Sequence, residues 1–474
     1  MKTFNTHYST LEALQSFILE NVIEDSSSLL IQVFTAHNNK SYIESLLKDI
    51  NYIFSKAVLI GSTTDGEICN GEVSTMSTVI SFTQFEKTQL DVYSDSGNDC
   101  YFDAGKKLAS TIIKPDSKAV IAFIDGLNGN GEEFLKGISS INSTVVIAGG
   151  MAGDNAQFEV SYVFTKTDIM DNGVVGVSLS SEYLHVMSDY SFHWLRVGKE
   201  LSITKAEKNR VYQINNLSAY DTYAHYLGTN IAEKLPAVGI EFPLIINRDG
   251  VDIARAVIGK EDDGSLIFAG NLHEGDRVNF GYGDSDSILS HAHKHCAHIQ
   301  KYPVESLFIY SCMARRRFMP HDIDKEIKPL NSIAPTSGFF TYGEFFSASH
   351  NELLNQTMTI LALSESDNIH TKIALDTIQE EHSETMQALA HLINISSSEL
   401  ISQNERQTRI YKRLHYIGQQ VNEQLEIDEL YNIAVNFANN ELNFEKCLIF
   451  EHDDYNGWFK VKKSIGYESP IEKQ

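Results

Sequence analysis

Gly61-Ser62-Thr63-Thr64-Asp65-Gly66-Glu67-Ile68 and Gly338-Phe339-Phe340-Thr341-Tyr342-Gly343-Glu344-Phe345 share one pattern, Gly-x-x-Thr-x-Gly-Glu-apolar. Their upstream contexts also agree. Residues 28–34 (SLLIQVF) and 306–310 (SLFIY) read as buried strands that begin 33 and 32 residues before the respective first glycine. A helical stretch separates strand from octet in each copy, so the repeated unit is strand, helix, strand, glycine-rich turn, as in a duplicated fold. A third strand-helix-strand unit runs through residues 119–123 (AVIAF), 132–141 and 144–148 (TVVIA), ending in Gly149-Gly150-Met151-Ala152-Gly153-Asp154. Strands alternating with helices at this interval favour parallel pairing. Residues 78–85, 173–179, 184–186, 253–258 and 266–272 are instead short, β-branched and bounded by turns such as Asp263-Gly264, as antiparallel strands are. The expected fold is a two-lobed α/β body with mixed sheets.

The chain has 474 residues, 42% of them hydrophobic, and a net charge of −25. This length accommodates about three domains with substantial cores. The negative balance repels phosphate backbones and anionic membranes, so no nucleic acid is expected as a partner. The one compact basic run, Arg315-Arg316-Arg317, reads as a solvated helix start or an ion-pair cluster rather than an anion site. The opening MKTFNTHYSTLEALQSF lacks the cationic stretch, apolar core and cleavage site of a secretory signal. No apolar run nears the ~18 residues that a membrane span needs, and the expected location is the cytoplasm. Cys69, Cys100, Cys296, Cys312 and Cys447 are odd in number and never closely spaced, which fits reduced thiols.

A boundary falls near residue 218, where Ser218 is placed to cap a helix over residues 219–227 that closes at Gly228. From about residue 368 the texture turns polar, with few Gly or Pro and spaced aliphatics. Met386, Leu389, Ile393, Ser396, Leu400, Gln403, Gln407, Ile410, Leu414, Ile417 and Val421 hold one a/d register, so residues 368–424 are expected to form a coiled-coil signalling helix that dimerises through 386–421. The polar positions Ser396, Gln403 and Gln407 weaken the centre of that seam. Residues 425–474 read as one helix and a hairpin, too little for an independent core, and are expected to be a truncated domain.

With these residues in view, the chain resembles the FIST family, an intracellular sensory region in two parts. Residues 58–68, the turn at 148–154 and the strand at 173–179 are similar to FIST N, assigned to 28–218. Ala219-Tyr220-Asp221-Thr222-Tyr223, Glu274-Gly275-Asp276-Arg277-Val278, Ser311-Cys312-Met313-Ala314-Arg315, the second octet and Asn355-Gln356-Thr357 are similar to FIST C, assigned to 219–364. Residues 386–404 resemble the helix that leads from FIST C into an output enzyme, and residues 425–474 the start of a GAF domain. The resemblance implies a small-ligand sensor in two-component or cyclic-di-GMP signalling, acting on a histidine kinase or diguanylate cyclase in cis or in trans. The ligand it implies is an amino acid or, alternatively, haem that reports nitric oxide.

Physical chemistry suggests where a ligand could sit. Gly338 and Gly343, like Gly61 and Gly66, allow unusual backbone at strand ends, where open α/β sheets expose ligand crevices. Thr64 and Thr341 add hydroxyls, and Glu67 and Glu344 carboxylates that could hold an ammonium group. The competing reading is that Thr and Glu cap neighbouring amides. Arg315 follows a strand end and could pair with a ligand carboxylate, and Tyr342 with its flanking phenylalanines makes the second octet the better ligand wall. For haem, His193 between Phe192 and Trp194 is the first axial candidate. His291, His293, His295 and His298 crowd one helix, but no partner completes a tetrahedral metal set. Residues 126–131 (GLNGNG) lack the features of a phosphate loop or dinucleotide fingerprint and read as a flexible turn. No catalytic signature is evident; a hydrolase or transferase would have to use Cys312, Arg315 or Glu344. Catalytic output is expected beyond Gln474 or on a partner.

Overall fold

The structure, a computed structural model, describes residues 1–96, 100–369, 384–422, 426–440 and 443–467. It is a mixed α/β protein with two compact units, residues 1–390 and 391–474. The first unit holds three six-stranded mixed sheets and a larger, eight-stranded antiparallel one.

Each six-stranded sheet is built on one strand-helix-strand unit, and in each the two strands are parallel: Leu29–Thr35 with Val58–Thr63, Ser117–Ile124 with Val146–Met151, and Ser306–Cys312 with Thr336–Thr341. The first strand of each pair is apolar almost throughout because both faces are covered. The connecting helices are amphipathic. In Lys40–Ile53, capped by the Asn39 side chain on Ser41 and Tyr42 N–H, Ile43, Leu46, Leu47 and Ile50 form the buried stripe.

The registers superimpose the three units. Phe34 lies opposite Ser62, Phe123 opposite Gly150 and Tyr310 opposite Phe339, so three equivalent aromatic residues converge. Phe123 is 5.9 Å from both Phe34 and Tyr310, and Phe339 lies 5.2, 5.4 and 5.8 Å from Phe34, Phe123 and Tyr310. Gly149 and Gly338 occupy the same place in their strands, with φ of 116° and 156°; a Cβ there would meet the carbonyl oxygen of Ala122 or Ile309. The duplication visible in the octets is thus two members of a set of three.

The strand after each turn ties the units together. From the end of the first octet, Glu67–Cys69 crosses over to pair with Thr336–Thr341; from the end of the second, Glu344–Ser347 crosses to Val146–Met151; after the third turn, Val163–Thr165 returns to Val58–Thr63. The three sheets exchange strands in a closed cycle. Backbone bonds seal each crossing, including Phe340 N–H to Gly66 O (2.8 Å), Met151 N–H to Gly343 O (2.8 Å) and Gly153 N–H to Thr63 O (2.9 Å).

The larger sheet continues across the expected boundary at 218. Trp194–Glu207 pairs with Arg277–Gly283 and with Arg210–Ile214. Leu201, Ile203, Val211 and Ile214 share one core with Tyr223, Ile253, Val257 and Phe268. Ser218 caps the helix Ala219–Leu227 through Asp221 N–H as the sequence suggests.

A helix spans Glu384–Asn422. In the second unit its apolar residues Leu392, Leu400 and Leu414 are exposed, and a helix Ile427–Asn440 accompanies the hairpin of Cys447–Asp453 and Trp458–Ile465. The expected helix start at 368–383 lies largely outside the described residues, as do the side chains of Met386, Leu389, Ile417 and Val421. No helix among the described residues is long and apolar enough to cross a membrane.

Candidate functional site

A cavity of about 750 Å³ opens where the third turn, the second octet and the larger sheet come together. Its wall takes in residues 126–132, Met151, Ala156 and Phe158 from the first half of the chain. The second half contributes Pro236, Ala237 and Ile240, residues 256–258 and 268–271, residues 312–314, Tyr342, Leu353, Asn355 and Gln356. Most of these side chains are apolar, the composition usual for a small-molecule pocket, and the volume lies within the customary range.

The glycine-rich loop is a formed structure. Asp125, fully buried at the end of Ser117–Ile124, accepts hydrogen bonds from Leu127 N–H (3.1 Å), Asn128 N–H (2.8 Å) and Ser161 Oγ (2.5 Å). Asn130 then caps the helix Gly131–Ser139 by accepting from Glu133 N–H. Behind the loop, Arg255 is fully buried and donates to Glu132 Oε1 (2.6 Å) and Asn355 Oδ1 (2.7 Å), while Asn271 N–H donates to the same Glu132 oxygen at 2.9 Å. Burial opposes the Glu132 charge, but Arg255 and Arg248 outweigh it and hold the carboxyl below its ordinary range. Burial likewise lowers Arg255 against the pull of Glu132. Two buried charges of opposite sign are tolerated only because each satisfies the other.

Tyr342 is the octet residue that reaches the cavity. Its hydroxyl donates to Asp154 Oδ1 and accepts from Asp154 N–H (3.1 Å) and Ala156 N–H (2.9 Å), and its ring stacks on Phe158 with centroids 5.3 Å apart. The strap so held carries Asn155, Ala156 and Phe158 at φ of 58°, 55° and 54°. A non-glycine residue in this left-handed region costs roughly 1–3 kcal/mol, and such strain persists only where surrounding contacts enforce it.

The other predicted site residues hold the crossovers. Thr341 donates to Glu344 Oε1 (2.7 Å) and accepts from Gly343 N–H (3.1 Å); Thr64 donates to Glu67 Oε1 (2.5 Å) and accepts from Gly66 N–H (3.4 Å). Gly338 sits against the Ile309 backbone. The Thr-x-Gly-Glu pattern is therefore a turn lock repeated in both copies, the capping alternative raised by the sequence. Burial pushes Glu67 up to about 7 and Glu344 up to about 8, in each case against hydrogen bonds that favour the charge. Arg315 is fully buried and bonded to both oxygens of Glu326, to Gln356 O (3.1 Å) and to Ser191 Oγ (3.4 Å). Arg315 lies near enough to Glu344 to favour its charge, and neither residue lines the cavity. Arg316 and Arg317 close on the buried Asp65 of the first octet, which makes the basic run an ion-pair cluster.

His193 stacks on His291 at 3.9 Å and meets Ser191 Oγ at 3.3 Å. Burial, reinforced by His291 and Arg315, drives it down to about 2, so it is neutral. Among the described residues no histidine lines the cavity, and no group of three or more His, Cys, Asp or Glu is arranged to hold a metal. His193, the expected axial residue, does not line this cavity.

Sequence reading missed Glu132, Arg255 and Asn271 and took residues 126–131 as a mere turn. The available signal was the position of that loop at the carboxyl end of a parallel strand. Asn355 and Gln356 entered only through the family resemblance.

The architecture is that of an α/β domain with a walled, ligand-sized cavity. The FIST N domain family matches residues 29–217 and the FIST C domain family residues 219–347, and the chain belongs to the FIST family. FIST domains are associated with signal-transduction sensing. Comparison with curated proteins gave no match.

Proposed function

We propose that this chain is the input module of a cytoplasmic signalling protein, in which a small organic ligand binds the cavity and biases the arrangement of the crossovers around it. The observation that carries this reading is the composition of the wall: residues from the FIST N and FIST C matches both line one cavity. A ligand moves such a module only by binding one arrangement better than another, and the strained strap at 155–158 on Tyr342 is the element proposed to respond. The signal then passes through the helix Glu384–Asn422, paired with a second copy, to a histidine kinase or diguanylate cyclase in cis or in trans.

Native mass spectrometry of the purified full chain tests the binding step. A retained small molecule is expected, released on denaturation and lost in Ala237→Trp, which fills the cavity mouth from an exposed position. Retention of the same molecule by Ala237→Trp would place binding elsewhere. The haem alternative requires a Soret band on haemin titration that disappears in His193→Ala; with His193 stacked on His291, no such band is expected.

A further inference from the structure

Glu132 and Asn271 lie side by side on the cavity wall, and each has bonding capacity that the protein leaves unused. Every bond to the Glu132 carboxylate falls on one oxygen. Oε1 accepts from Arg255 Nη2 at 2.6 Å and from Asn271 N–H at 2.9 Å, with Arg248 Nη1 at 3.7 Å. Oε2 meets no donor among the described residues. Asn271 in turn uses only its backbone, whose carbonyl accepts from Arg248 Nη2 at 3.0 Å, and its side-chain amide bonds to nothing among the described residues. The two residues are only 5% and 7% exposed, yet protein does not occlude Glu132 Oε2 or the Asn271 Oδ1 and Nδ2. Polar groups buried to this extent are normally satisfied. A carboxylate oxygen and an amide left open together, on the wall of a ligand-sized space, mark where the polar part of a ligand binds.

The charges around this point select among the groups that could answer it. Burial opposes the Glu132 charge, but Arg255 and Arg248 keep the carboxyl ionised and already balance it. The other charged residues of the wall, Lys208 and Arg317, are cationic, and Arg317 shares the single carboxylate of Asp65 with Arg316. An ammonium group would enter against this surplus, where charges are felt more strongly than in water. A hydroxyl meets no such opposition, since it donates to Oε2 or Oδ1 and accepts from Nδ2–H while remaining neutral. Two neighbouring hydroxyls can use all three atoms. On the same wall Phe158, 60% exposed and stacked on Tyr342, offers an aromatic face to the C–H side of a ring. We infer that Glu132 Oε2 and the Asn271 amide bind adjacent hydroxyls of the ligand, a neutral or acidic polyol of the sugar class that carries no amine. This rests on the reading of the cavity as the ligand site.

Thermal-shift titration of the full chain with D-glucose, D-galactose, D-ribose and myo-inositol tests the class, and D-glucuronate and D-glucosamine vary the charge on one scaffold. At least one neutral polyol or the glucuronate is expected to raise Tm saturably, whereas D-glucosamine and free L-alanine should not. Because the Asn271 backbone makes the bond to Glu132, Asn271→Ala should leave the Tm of the unliganded chain nearly unchanged. The same variant should weaken polyol binding about fivefold or more, the worth of a lost hydrogen bond. The comparison among probes needs no variant, so it stands even if Asn271→Ala fails to fold. No response to any polyol, an equal or stronger response to D-glucosamine or L-alanine, or undiminished polyol binding in Asn271→Ala overturns the ligand class while leaving the cavity as the site. Polyol binding unchanged in Ala237→Trp overturns the cavity reading itself.

Discussion

Glu67 and Glu344 occupy one position of a repeated turn, and both are carboxyls kept from water. Burial raises them to about 7 and about 8, so the folded protein holds protons that the unfolded chain releases. Stability from these protons is fully present below the ordinary carboxylate range near pH 4.3 and is lost as pH rises through 7 and 8. The urea midpoint should therefore fall between pH 5 and pH 9. In Glu344→Gln, which keeps an acceptor for Thr341 but cannot titrate, that fall should be visibly smaller. An identical pH profile in the variant would show that Glu344 ionises normally in the fold. Tyr342→Phe removes one donor and one acceptor shared with Asp154 and Ala156. A loss of about 1–3 kcal/mol is expected in urea unfolding, with amide exchange accelerated at 155–160 and unchanged in Ser117–Ile124. At this scale the sequence offered residue types without their partners. Arg315 and Glu344 looked complementary to a ligand, yet Glu326 binds Arg315 and Thr341 takes one oxygen of Glu344, and neither pairing leaves a trace in local spacing beyond the Thr-x-Gly-Glu motif.

Long elements were legible because their burial is written in consecutive residues. The apolar run at 119–123 and the stripe Ile43, Leu46, Leu47, Ile50 identify a central strand and a covered helix without any partner. The crossovers were not legible. Glu67–Cys69 and Val163–Thr165 are three residues each and find partners far along the chain, so neither period nor propensity marks them. The helix Glu384–Asn422 shows the opposite case, a heptad seam evident in sequence and apolar residues left uncovered in one chain. Leu414, 47% exposed, is expected to be buried against a second copy. Leu414→Asp should shift the full chain from dimer toward monomer in sedimentation equilibrium, whereas an unchanged mass would remove the helix from the assembly.

For the molecule as a whole, the octets revealed repetition, but two copies in a linear sequence cannot reveal a third that has lost the signature. Ala152-Gly153-Asp154 replaces Thr and Glu with a single aspartate that accepts from Phe158, Glu159 and Val160 N–H. Met151 and the strap beyond this divergent turn, with the loop at 126–131 and Tyr342 of the second octet, border the cavity. The cyclic exchange of strands carries a consequence for any attempt to divide the protein. The join between the FIST N and FIST C matches at 217 and 219 is no seam in the folded chain. Cutting there removes one hydrogen-bonded neighbour each from Glu67–Cys69, Val146–Met151, His185–Ser191 and Trp194–Glu207, and bare edges of this kind promote aggregation. Residues 1–217 expressed alone should be insoluble or lack a cooperative melt, and co-expression with residues 218–474 should restore both. Each half therefore carries sheet edges whose covering strands belong to the other, so a change to either side of these pairings is felt by both.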